Sequence, residues 1–118
     1  MGLVRVVRAS EHDALAWQEV PRPTGDVAPP GEEVATFRSA DGRFVSGLWR
    51  RDPEEGRMAL DDYHEVALIL EGEVEVTEDD GTVHRVGPGD VLITPRGTEA
   101  TWRSLSPVKK LWAIYKSE

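Results

Sequence analysis

His64 and Glu65 stand side by side at the head of the run HEVALILEG, residues 64–72. They offer an imidazole and a carboxylate, the groups most used for moving protons and for holding metal ions. Successive side chains of a strand point to opposite faces, so the two would reach one ion only through a bulge where the strand starts. Asp61 offers an oxygen nearby, and His84 and Glu99 are donors that other strands would have to bring close. Each has a plainer reading: His64 closes a strand end, His84 sits on a solvated hairpin, and Asp61-Asp62 is a hydrated acidic turn. The aromatic residues Trp49, Tyr63 and Trp102, with Arg96, supply the other parts of a small-molecule site, an aromatic wall with a few polar groups. Aromatic rings in a β protein also build core, because each buries a large area. Trp17 and Trp112 are assigned to packing or to a subunit contact.

These side chains must be held by strands. From residue 34 onward the chain reads VATFRS, RFVSGLWRR, RMAL, HEVALILE, EVEVTE, TVHRV, DVLITP, ATWRSL and KKLWAIYKS. The segments are short, rich in β-branched and aromatic residues, and punctuated by Gly, Pro and Asp, the pattern of an all-β sandwich or barrel. Asp80-Gly81 marks a hairpin turn. In EVEVTE, Val74 and Val76 share one face and Glu73, Glu75 and Thr77 the other, as in a half-solvated strand. In HEVALILE both faces are apolar, with Val66, Leu68 and Leu70 on one and Ala67 and Ile69 on the other. KKLWAIYK repeats this, Leu111, Ala113 and Tyr115 alternating with Trp112 and Ile114. An apolar outer face needs a cover, from the chain's own arm or from another subunit, and a homodimer is expected.

Upstream, LVRVVR at 3–8 reads as a first strand, and a short helical turn is expected to begin at Ser10, with Asp13 at capping-box spacing. Residues 21–33 hold four prolines, which deny ladder donors, and read as an extended arm. The domain assignment is therefore 1–33 as N-terminal strand and Pro-rich arm, and 34–118 as barrel.

Composition narrows the function. With 118 residues the chain is one domain, long enough to bury a real core. Its 14 Lys and Arg against 22 Asp and Glu give a net charge of −8, which repels phosphate backbones and anionic lipid headgroups, so neither nucleic acid nor membrane is an expected partner. The absence of cysteine removes disulfides, thiolate nucleophiles and Cys-based metal sites. No signal-peptide core or membrane-length apolar run is visible, and a cytoplasmic location is the expectation.

HEVALILEGEVEV, in which Glu65 is followed by six residues and then Gly72, resembles the first motif of the cupin superfamily. GPGDVLITPRG at 87–97, with Gly89, Asp90, Pro95 and Gly97 in place, resembles the second. The resemblance spans 47–116 and implies a double-stranded β-helix, or jelly roll. GLWRR, PRGTEATW and VKKLW add similarity to the small single-domain cupins related to ureidoglycine aminohydrolase and to the cupin of ethanolamine utilisation.

Metal-binding cupins carry a His-x-His pair three or four residues before the motif Glu and a further His three after the second motif's last Gly. The positions here are Ala59 and Asp61, or Met58 and Leu60, and then Ala100, so the usual metal triad is missing. Without it, no cofactor is expected, and Glu65 would orient a ligand, act as a base, or pair with Arg57, Arg96 or Arg103. The leading expectation is a small polar or carboxylic ligand held by Glu65, Trp49, Tyr63, His64, Arg96 and Trp102. A metal-assisted hydrolase of a small ureido or amino compound, and a dimeric scaffold or regulatory protein with a filled barrel, are the alternatives.

Overall fold

The computed structural model describes residues 2–20 and 31–117. The Pro-rich part of the expected arm, 21–30, lies outside the described residues. Among the described residues ten strands follow in order: β1 (Gln18–Glu19), β2 (Glu32–Arg38), β3 (Phe44–Arg51), β4 (Glu55–Ala59), β5 (Tyr63–Glu71), β6 (Val74–Glu78), β7 (Val83–Val86), β8 (Val91–Thr94), β9 (Glu99–Ser104) and β10 (Val108–Lys116). They form a six-stranded sheet, β1-β2-β3-β10-β5-β8, and a four-stranded sheet, β4-β9-β6-β7, whose pairings are all antiparallel. This is the jelly-roll arrangement expected. No helix among the described residues is long and apolar enough to cross a membrane.

The N-terminal segment differs from expectation. Residues 3–8 join no ladder, and the first strand is β1, whose Gln18 and Glu19 pair with Glu33 and Glu32. Valine-rich composition makes a strand only where an edge is available to pair with, and pairing overrides propensity. The turn expected from Ser10 is a 3-10 helix, Ala9–Ala14, and its preceding residue Arg8 makes no side-chain cap.

Alternation places the core. Val74 and Val76 of β6 are buried, as are Leu92, Ala100, Trp102 and Val108, which with the first two form the central cluster. On β5, Ala67 and Ile69 point inward and are fully buried. Their neighbours Val66, Leu68 and Leu70 form the outer face. Val66 remains about half exposed, and on the adjacent β8 Ile93 is 67% exposed. Part of this outer face is covered by the N-terminal segment: Lys109 Nζ lies 3.2 Å from His12 Nδ1, and the Arg50 guanidinium sits 3.9 Å over the Trp17 ring.

Two glycines show what the turns require. Gly81, in the β6–β7 hairpin, has φ +94° and open space where a Cβ would project. Gly72, which ends the β5 motif, has φ +87°, and a Cβ there would collide with the Pro107 carbonyl oxygen. Gly81→Ala is expected to cost only the left-handed backbone penalty of about 1–2 kcal/mol. Gly72→Ala adds overpacking against backbone and should cost about 2–5 kcal/mol in urea unfolding. Equal losses at the two positions would contradict the packing described.

Candidate functional site

The six-stranded sheet presents its inner face as cross-strand rows. Trp49 of β3, Lys110 of β10 and Ile69 of β5 form one. Gly47, Trp112 and Ala67 form the next, and Val45, Ile114 and Glu65 the third, with Thr94 of β8 beyond Glu65. Small residues flank the large one in the middle row. A Cβ on Gly47 would fall 2.6 Å from Trp112 Cζ2, so the bare glycine gives the indole its seat.

Above these rows opens a cavity of about 740 Å³, whose walls include Trp49, Met58, Tyr63, Glu65, Trp102 and Lys110. Trp49 and Trp102 meet edge to face, with centroids 5.5 Å apart and planes at 87°. The Trp102 indole is fixed by a 2.7 Å hydrogen bond from its Nε1 to Ser104 Oγ. Between the two rings lies the Lys110 ammonium, 4.9 Å from one centroid and 5.0 Å from the other, within cation–π range. Lys110 Nζ also donates to Glu65 Oε2 at 2.9 Å. The two side chains are only 12% and 14% exposed. A cation and an anion removed from water in this way hold each other in place.

Tyr63 stands at the rim. Burial, then the charges of Glu65, Asp62, Glu33 and Asp61, raise its pKa above the ordinary phenol value. It is therefore a neutral O–H group at physiological pH. Trp112 lines the same cavity, and its buried Nε1–H has no hydrogen-bond partner among the described residues.

Of the six expected site residues, Glu65, Trp49, Tyr63 and Trp102 line this cavity, whereas His64 and Arg96 do not. His64 is one residue out of phase with Glu65 and pairs across to Tyr115 on the outer face. Its Nδ1 accepts from the Arg96 backbone N–H at 2.9 Å, so the imidazole organises a loop. The Arg96 side chain donates to the Asp61 carbonyl at 2.9 Å and to Ser117 Oγ at 3.3 Å. None of the three arginines considered as partners of Glu65 pairs with it. Arg57 is held by Asp79, Arg96 as described, and Arg103 lies 4.0 Å from Glu75. The partner is Lys110, which the sequence reading left unassigned, although it shares strand parity with Trp112 and Ile114.

The residues present do not fit a cupin metal. Met58 pairs with Ala100 across β4 and β9, so the longer of the two spacings is the one that faces inward, with Leu60 buried beyond it. A thioether, an isobutyl group and a methyl face the place where three imidazoles would be needed. Among the described residues, no group of three or more His, Asp or Glu side chains is placed to hold an ion.

The model of the EutQ-like cupin domain family matches residues 38–112. The chain belongs to that family. Solved cupins repeat the fold. The cupin domain of Schizosaccharomyces pombe Cnp3 is 20% identical, with a TM-score of 0.65 over 74% of this chain, which spans 65% of that domain. The Clostridium difficile EutQ protein is 15% identical with a TM-score of 0.67, covering 80% of this chain and 69% of its own. A DUF861-family protein from Thermotoga maritima is 35% identical with a TM-score of 0.53, covering 55% of this cupin and 73% of its own chain. No curated protein matches.

Removing Lys110 alone should strand the Glu65 carboxylate in a half-dry site. Lys110→Met is expected to cost about 3 kcal/mol, and Glu65→Leu with Lys110→Met together about 1 kcal/mol or less, because an uncompensated buried charge is worse than none. Denaturant unfolding of the single and double variants checks this. Additive losses would show that the two groups do not interact.

Proposed function

We propose that this EutQ-like cupin binds a small polar or carboxylic ligand in its barrel, using a tethered ammonium in place of a metal ion. The supporting observation is the Lys110–Glu65 pair set between Trp49 and Trp102 in a cavity large enough for a small molecule. A carboxylate entering the cavity would meet the ammonium and the Tyr63 hydroxyl, while the indole walls take its apolar part. The alternative of a metal-assisted hydrolase acting on a ureido compound finds no donor set in Met58, Leu60 and Ala100. A filled-barrel scaffold is disfavoured by the cavity itself.

The partner in assembly is a second copy of this chain. The outer face of β5, β8 and β10 exposes Val66, Val91, Ile93, Leu111 and Tyr115, an apolar patch of the kind that marks an interface. The N-terminal segment exposes Leu3, Val4, Val6 and Val7 as well, while Arg5 ties it to the Thr36 carbonyl of β2 at 2.9 Å. A two-fold axis would bring the same patch of each copy together, the geometry of most homo-oligomers.

Titration with small carboxylic acids should quench the tryptophan emission of the wild type and raise its melting temperature, with Lys110→Met losing both responses. Unchanged emission across aliphatic and aromatic acids would overturn the ligand reading. Light scattering is expected to give twice the chain mass, and Ile93→Glu the chain mass, at micromolar concentration. A monomeric wild type would overturn the assembly reading.

A further inference from the structure

We propose that Lys110 condenses with small carbonyl compounds, aldehydes or α-oxo acids, to form an imine inside the barrel. This rests on the reading that the cavity admits a small ligand and goes beyond it by naming the reacting atom and the bond formed. The chain has three lysines, at 109, 110 and 116. Lys109 lies against His12 and Glu71, outside the barrel. Lys116 also borders this cavity but is exposed to solvent at the end of β10. Only Lys110 has its amine enclosed by aromatic walls with a carboxylate at hydrogen-bond distance.

Each neighbour has a part in the reaction. Glu65 accepts a proton from the ammonium at 2.9 Å, which frees the nitrogen lone pair. The lone pair attacks the carbonyl carbon, and the carbonyl oxygen takes that proton back from Glu65. Glu65 then removes a second proton from nitrogen and delivers it to the new hydroxyl. The C–O bond breaks, water leaves, and the nitrogen lone pair closes the C=N bond. Net, the ammonium and the carbonyl compound give an iminium and water, with one positive charge on the same nitrogen before and after.

The surroundings suit the product as well as the reactant. Two indole faces about 5 Å away and one carboxylate stabilise a cation at that nitrogen whether it is ammonium or iminium. The Lys110 side chain is 12% exposed, which limits the water available to reverse the condensation. A stabilising role alone would be met as well by an apolar pair of the same size.

The test uses the intact protein with glyoxylate or propanal and cyanoborohydride, which reduces the iminium to a stable secondary amine, followed by peptide mass mapping. Lys110 is expected to be labelled roughly tenfold or more faster than Lys109 and Lys116. Glu65→Gln should slow labelling of Lys110 roughly 100-fold. Lys110→Arg keeps the charge and forms no such adduct, so the fast label should vanish while the slow labelling of Lys109 and Lys116 persists. Equal labelling of the three lysines in a protein that binds acetate would sink the imine and leave the ligand reading standing. Equal labelling with no acetate response would sink both.

Discussion

β10 is hydrogen-bonded to β3 on one side and to β5 on the other, in registers that bring Lys110, Trp112 and Ile114 to the face shared by Trp49, Gly47 and Glu65. Side chains alternate with period two, so a slip of one residue would turn Leu111 and Tyr115 inward and send Lys110 to solvent. The cavity, its charge pair and its aromatic wall all follow from that single alignment. The alignment is in turn enforced by burial: Ala67, Ile69 and Trp112 have no other place to lose contact with water. Gly47 contributes by being nothing more than backbone beneath the Trp112 ring.

The interior therefore exchanges one kind of electrostatics for another. Where the cupin motifs leave room for imidazoles, β4 and β9 bring Met58 and Ala100. The positive charge comes instead from the last strand, on a flexible stem long enough to reach Glu65 from two rows away. The indoles of Trp49 and Trp102 replace part of the hydration that the ammonium gives up. Tyr63, kept neutral by burial and by its acidic neighbours, adds a donor at the rim without adding charge.

Much of this could be read from residue order. Val74 and Val76 alternated against Glu73 and Glu75 and are buried as that pattern requires, and the nine strand segments expected from residue 34 onward lie within two residues of the observed ones. Glu65 was legible through its spacing to Gly72, and Trp102 through its parity with Ala100. Lys110 was not. A Lys-Lys pair at the start of a strand reads as two solvated charges, and only the pairing of β10 with β5 shows that one of them faces a lone carboxylate. His64 and Arg96 misled for the opposite reason: chemically capable groups beside a motif were assigned to its interior, when the pleat sends one outward and the loop carries the other to Ser117. Residues 3–8 have strand-like composition but no ladder to join, a fact that composition cannot express.

The ammonium between Trp49 and Trp102 is bonded to the main chain through its own side chain. An ion held by coordination can dissociate, be captured by a chelator, or be displaced by a better-binding element. Lys110 can do none of these, so the charge inside this barrel is inherited with the sequence and does not vary with the mineral supply of the cell.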